Sequence, residues 1–278
     1  MMTDNIMPLS DHSNCVISGA YMLDGILMVK SMEDNIKEVV ENTKPKAARY
    51  AEGIFCIVYL IFVVTIVCVS YKEYDRIAGD MNLHRQSLRF SFAFMMALLL
   101  LIGDGFHLVP RIIVAFKGRM RRQDMFLGLG NLISSVTMTF FYNVLLKMGD
   151  SVEYHESKYN MGIEKAILVF TIIRVCILLL PMNNWFSKEG SKTWAIIRNV
   201  FFVMIGVLTV VGFFRVIAYA STMPSTFYMI IIAMVILSFA FYLPVAIFGK
   251  ENPKLGMLMM PKTLCYMAML GIIVFWPI

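Results

Sequence analysis

Charge is what this chain has least of. Asp, Glu, Lys and Arg make up 16% of its 278 residues, against about 25% in a soluble domain. Cysteine offers no scaffold either. Five residues, Cys15, Cys56, Cys68, Cys176 and Cys265, form no CxxC pair, which argues against a zinc ribbon or a dithiol redox motif. Four of them fall inside apolar runs, where cysteine acts as a small apolar residue. No P-loop, GxGxxG, GxSxG or HExxH occurs, so the short signatures of nucleotide binding, serine hydrolysis and zinc proteolysis are missing. No metal and no cofactor is expected. The formal net charge is +6, but the basic residues are scattered over connecting segments, so no nucleic-acid partner is expected. There is no internal repeat and no low-complexity tract.

What fills the chain is apolar. The hydrophobic residues reach 59%, with 21 Phe and 24 Met, and the mean hydropathy is +0.70. The surplus falls in seven long blocks: 50–70, 90–116, 126–146, 163–182, 194–219, 224–248 and 256 to the C-terminus. A helix needs roughly 20 mostly apolar residues to cross about 30 Å of hydrocarbon. Barrel strands would be half as long and would alternate, and these blocks do not. In lipid each backbone group needs an internal partner, so the blocks read as helices. The expected fold is all-α, a polytopic membrane helix bundle with seven transmembrane helices, in an integral membrane protein of the cell membrane. Lys and Arg of short loops set orientation. With the N-terminus inside, eleven basic residues lie on inner flanks (Lys44, Lys46, Arg49, Lys117, Arg119, Arg121, Arg122, Lys188, Lys192, Lys250, Lys254). Seven lie outside (Lys72, Arg76, Arg85, Arg89, Lys147, Lys158, Lys165). The N-terminus is therefore expected inside.

Residues 1–49 stand apart from the membrane domain at 50–278. No basic segment precedes a long apolar core, so no signal peptide is expected. Met22, Ile26, Val29, Ile36 and Val40 recur at roughly helical spacing among Glu33, Asp34, Glu38 and Glu41, which suggests an amphipathic helix on the inner surface. A mobile tail, or an upstream start that lengthens the chain, is the other reading.

Polar residues inside the spans carry the functional signal, because an ionisable side chain in hydrocarbon is costly. Asp104 lies midway along the second span, in GDGFHLVPR. His107 and Arg111 follow at offsets that share its helix face. Structural glue between helices is the plain reading of this trio; an acid–base pair, Asp104 with His107, is the sharper one. On the third span Asn131, Ser135, Thr139 and Tyr142 form a stripe, with Ser134 beside it. Arg174 sits in the middle of the fourth span and has Asp104 as its expected partner. Pro181, Asn183, Asn184 and Trp185 follow. Arg198 and Asn199 enter the fifth span, and Lys262 with Tyr266 the seventh. Only sixteen residues follow Lys262, about 24 Å of helix, so Lys262 lies near the inner interface and not at mid-span, where a Schiff-base lysine would sit. Together these groups fall in the inner half of the bundle. Apart from Asp104 they are cationic or neutral, which suits an anionic head group on an apolar tail.

Gly103-Asp104, then Phe126-Leu-Gly128-Leu129 at the entry of the next span, then Tyr142 resemble the YhhN-type lysoplasmalogenase family of polytopic membrane proteins, over residues 97–146. The resemblance implies an intramembrane hydrolase of ether lysolipids built on a carboxylate. Where that family carries a His in the following span this chain has Ser134 to Met138. Where it carries a second acid, in a Ser-Asp pair, this chain has Ser238-Phe239. His107 is the group here that could replace it as acid or base.

Two functions follow from these residues. One is a lipid hydrolase with Asp104 and His107 catalytic, and Arg111, Asn131, Ser135, Tyr142, Arg174, Arg198, Asn199 and Lys262 binding the ligand. The other is a non-catalytic bundle that binds, senses or transports a lipid or small molecule in the same pocket. A membrane lipid, in particular an anionic amphiphile, is the expected partner in either case.

Overall fold

The computed structural model describes residues 46–117, 123–153, 161–186, 192–248 and 253–277. The chain divides into two compact units, 1–51 and 52–278, and the geometry below belongs to the second. The expected amphipathic helix at residues 22–40 and the basic cluster at 119–122 lie outside the described residues.

Every apolar block lies on a helix. The helices are α1 (Lys46–Ile77), α2 (His84–Lys117), α3 (Gln123–Glu153), α4 (Met161–Leu179), α5 (Lys192–Tyr219), α6 (Ser225–Phe248) and α7 (Met259–Phe275). No strand occurs among the described residues. Six helical stretches are long and apolar enough to cross a membrane: Arg49–Ile77, Met81–Lys117, Met125–Glu153, Thr193–Tyr219, Ser225–Phe248 and Leu255–Phe275. The protein is thus a helical, multi-pass membrane bundle. The expected count of seven is one higher than this set. The difference is α4, whose 19 residues carry Glu164, Lys165 and Arg174.

The outer surface fits that setting. Ile54, Val58 and Ile61 of α1, Val200, Val207 and Phe214 of α5, and Ile236 of α6 are all exposed. Water would penalise so wide an apolar surface; lipid does not.

The packing follows from which helices touch. α2 packs on α3, α3 on α5, α5 on α6, α6 on α7, and α7 returns to α2, while α4 packs against both α3 and α5. This gives a ring of five with α4 laid over the α3–α5 seam. α1 meets both α2 and α7: Gly53 lies against Ala115 and Phe116, and Phe62 lies near Gly271. Small residues set the closest approach, as expected where lipid offers no hydrophobic drive for helix association. A Cβ on Gly103 would stand 1.9 Å from the Thr137 hydroxyl oxygen, and one on Gly130 would stand 2.6 Å from the Phe106 carbonyl. The α2–α3 contact therefore admits glycine and nothing larger at those points.

Candidate functional site

At the end where α2, α4 and α6 finish and α3, α5 and α7 begin, the ring encloses a cavity of about 540 Å³. Its apolar wall includes Leu108, Leu127, Met138, Phe202, Val245 and Met259. Nine of the ten expected site residues line it: Asp104, His107, Arg111, Asn131, Ser135, Arg174, Arg198, Asn199 and Lys262. They come from five helices, so the gathering is a result of the fold and not of local spacing.

Tyr142 is the exception. It is fully buried and shares hydrogen bonds with the Ser238 hydroxyl (3.0 Å) and the Tyr266 hydroxyl (3.2 Å). Its ring meets Phe202 and Phe239. It belongs to the aromatic core between α3, α6 and α7. Tyr142 lies three residues beyond Thr139 on α3 and bonds to Tyr266, which does line the cavity, so Tyr142 supports the wall and does not line it.

Asp104 is held on both oxygens. The Tyr59 hydroxyl donates to Oδ2 and the Ser134 hydroxyl to Oδ1, the latter at 3.2 Å. The expected Asp104–Arg174 pair is not what the structure contains. Arg174 Nη1 donates instead to the Thr139 hydroxyl at 2.8 Å, and its guanidinium lies 3.7 Å from the centroid of the Phe202 ring. The physical reason is topological: α3 stands between α2 and α4. Arg174 is only 1% exposed, and its Nε has no hydrogen-bond partner among the described residues. His107 is likewise not bonded to Asp104; its Nδ1 is buried and without a partner among the described residues.

The remaining bases are seated on aromatic faces. Lys262 Nζ lies 4.5 Å from the Tyr242 ring centre and 5.5 Å from that of Tyr266. Arg198 lies 4.2 Å from the Trp185 ring centre and donates to Asn183 Oδ1 at 3.2 Å. A cation over a ring face keeps part of its attraction without a counter-ion, which leaves its N–H groups available. The segment that positions Arg198 is tightly built. Asn183 Nδ2 donates to the carbonyls of Ile177 and Leu180 (2.6 and 3.1 Å), and the Trp185 indole N–H donates to that of Leu178 (2.8 Å). These carbonyls are the orphans of the α4 C-terminus. Asn184 takes a left-handed conformation, φ 47°, which asparagine tolerates. A Cβ on Gly128 would stand 1.9 Å from the Trp185 carbonyl, so glycine lets this segment close over α3. Arg111, at the rim, is 3.8 Å from Glu52.

Sequence reasoning missed two contributors. Tyr59 is a single phenol in an aliphatic run of α1, and a hydroxyl in lipid needs a partner, which is the signal that could have found it. Tyr242 donates to Asn199 Oδ1 at 2.8 Å and carries no comparable mark in its aromatic-rich helix. Among the described residues no group of three or more His, Cys, Asp or Glu could hold a metal. What the arrangement offers is four basic side chains, Arg111, Arg174, Arg198 and Lys262, around one acid.

No protein-family model, no curated protein and no solved structure matches the chain.

Proposed function

We propose that this protein crosses the membrane seven times with its N-terminus inside, and that its inward-opening cavity holds the head group of an anionic amphiphile drawn from the membrane. The cell membrane is the proposed location. α4 supports the seventh crossing: its 19 residues make roughly 28 Å of helix at 1.5 Å per residue, and it turns Leu168, Val169 and Ile172 outward.

The observation that carries the binding function is Arg174. A buried guanidinium always keeps its charge and is costly without a counter-charge. This one has a hydroxyl and a ring face as its partners and opens on a cavity with three other bases. A phosphate or carboxylate seated there would complete it, accepting from Arg174, Arg198 and Lys262 together. The apolar wall would take the first part of the tail.

Native mass spectrometry of the detergent-purified protein tests this. The wild-type chain retains an acidic phospholipid or fatty acid, and Arg174→Leu does not. Recovery of the wild-type protein with zwitterionic lipid alone, or with none, overturns the proposal.

One observation favours a catalytic version. Asp104 and His107 both line the cavity, and the His107 Nδ1 is unbonded, so an imidazole nitrogen is available for proton transfer. The proposal is then a lipid hydrolase of the lysoplasmalogenase type, with Asp104 fixed by Tyr59 and Ser134. Turnover of lysolipids and ether lysolipids by purified protein, lost in Asp104→Asn and in His107→Gln, is the expected result. Turnover unchanged in both variants removes the catalytic version and leaves the binding one.

A further inference from the structure

The cavity uses only the first half of the polar face of α3. Asn131, Ser135, Thr139, Asn143 and Lys147 recur every four residues and continue well past it. Four residues turn an α-helix by roughly 400°, so each step slips about 40° and the row winds around the helix as it climbs. Asn131 and Ser135 line the central cavity. Asn143 and Lys147 line a second one, of about 360 Å³, between α2, α3 and α4. Thr139, between them, is fully buried and holds Arg174.

α4 covers the middle of this row, and it is fastened there by polar contacts. Arg174 donates to the Thr139 hydroxyl at 2.8 Å, Asn143 Nδ2 to the Thr171 hydroxyl at 2.7 Å, and Lys147 Nζ to Glu164 at 3.2 Å. The three contacts step in opposite directions along two antiparallel helices. Side-chain hydrogen bonds are a common glue between helices in lipid, and each of these three lies beside one of the two cavities. Polar contacts can be exchanged: the Arg174, Thr139, Asn143 and Lys147 donors would serve a phosphate equally well. The second cavity suits the rest of such a molecule. Phe92, Met95, Ile167 and Leu168 give it an apolar wall, and Lys147 and Lys165 give it basic groups, with Glu164 as the acid that pairs Lys147 until a phosphate takes its place.

We propose that the α3 row is a path for the head group of an anionic phospholipid between the central cavity and this lateral groove. α4 is the gate, exchanging its contacts with α3 for contacts with the passing phosphate while the acyl chains stay in lipid. The proposal rests on the reading of the central cavity as an anionic-amphiphile site.

The test uses the full chain with Cys15, Cys56, Cys68, Cys176 and Cys265 replaced by Ala, carrying Asn143→Cys and Thr171→Cys. The two residues touch, so a short thiosulfonate cross-linker fastens α4 to α3 away from the central cavity. The protein is placed in phosphatidylcholine vesicles containing short-chain NBD-labelled phosphatidylglycerol, and back-extraction by thiol-blocked albumin, which leaves the cross-link's disulfides intact, reports transfer between leaflets. Native mass spectrometry of the same preparations reports phosphatidylglycerol retention. Before cross-linking, transfer runs faster than in protein-free vesicles. Cross-linking returns it to the protein-free rate, reduction restores it, and retention stays the same throughout. Transfer that is unaffected by the cross-link, or that never exceeds the protein-free rate while phosphatidylglycerol is retained, overturns the path and leaves the binding site standing. Absence of retention in the uncross-linked protein overturns the binding site and the path with it.

Discussion

The two ends of the bundle bury charge in different settings. At the end away from the cavity Glu153 is 3% exposed, and its carboxylate accepts from the backbone N–H groups of Ser221, Thr222 and Met223 and from the Tyr228 hydroxyl, all at 2.7–2.8 Å. One carboxylate thus ties the end of α3 to the turn between α5 and α6. Arg89, nearby in depth, donates to the Trp276 carbonyl at 3.2 Å and lies over the Phe90 ring, while its Nε has no partner among the described residues. At the cavity end Arg174 is as deeply buried and its Nε is likewise unbonded, but it lines a cavity together with three other bases. Complete satisfaction marks a group that holds the fold together. An incompletely satisfied buried charge on the wall of a cavity marks a place that a ligand can complete. The difference assigns structure to one end and recognition to the other.

The comparison is broken most directly at Glu153. Glu153→Leu leaves three backbone N–H groups and a phenol without an acceptor. Hydrogen bonds to a charged group are worth about 1.5–3 kcal/mol each, though not additively, so a loss of at least about 3 kcal/mol in unfolding free energy is expected from denaturant titration in detergent. The folded fraction should retain the same lipid as wild type. A loss within a few tenths of a kcal/mol would show that this end is no more structural than the other.

Arg174→Leu is the matching change at the cavity end, and its sign should differ. Replacing a buried cation that has no counter-charge by an apolar side chain of similar volume is neutral or stabilising by about 1–4 kcal/mol when no lipid is bound. Retention of acidic lipid should fall at least about tenfold, the equivalent of 1.4 kcal/mol. A variant that unfolds like Glu153→Leu and still keeps its lipid would mean that Arg174 is structural after all.

How much of this was legible beforehand depended on range. Helix existence came from block length and apolar content, and each block is helical because lipid leaves the backbone no other partner. Asp104, His107 and Arg111 were legible as a face because the offsets are local. Which helices are neighbours is not a local property. That is why the Asp104–Arg174 pair failed: α3 packs on both α2 and α4 and stands between them. Glu153 lies seven residues beyond the apolar block that ends at Leu146, yet α3 continues through it. A helix end that meets backbone donors of a distant turn leaves no periodic trace in the residues themselves.

Tyr59→Phe sharpens the comparison further, because Tyr59 binds the one acid of the cavity from outside it. Removing the hydroxyl takes one of two donors from Asp104, a loss of about 1.5 kcal/mol. If Asp104 is a structural anchor like Glu153, that loss appears in unfolding. If it is held for the ligand, stability changes little, and lipid retention, or turnover where there is any, changes instead.

The smallest change tests whether the ring seats of the cavity end have the same purpose. Trp185 does two things at once: its indole N–H caps the Leu178 carbonyl, and its face carries Arg198. Trp185→Phe keeps a ring for Arg198, though a weaker one, and drops the cap; Trp185→Leu drops both. The cap loss is common to the two variants, so their difference isolates the cation–ring contact, about 0.5–1 kcal/mol at a partly exposed site, or up to about fivefold in lipid retention. Were Arg198 a structural residue, that difference would show in unfolding, as at Glu153. If Arg198 is held open for an anion, the two variants unfold alike and differ in retention, which is the outcome expected.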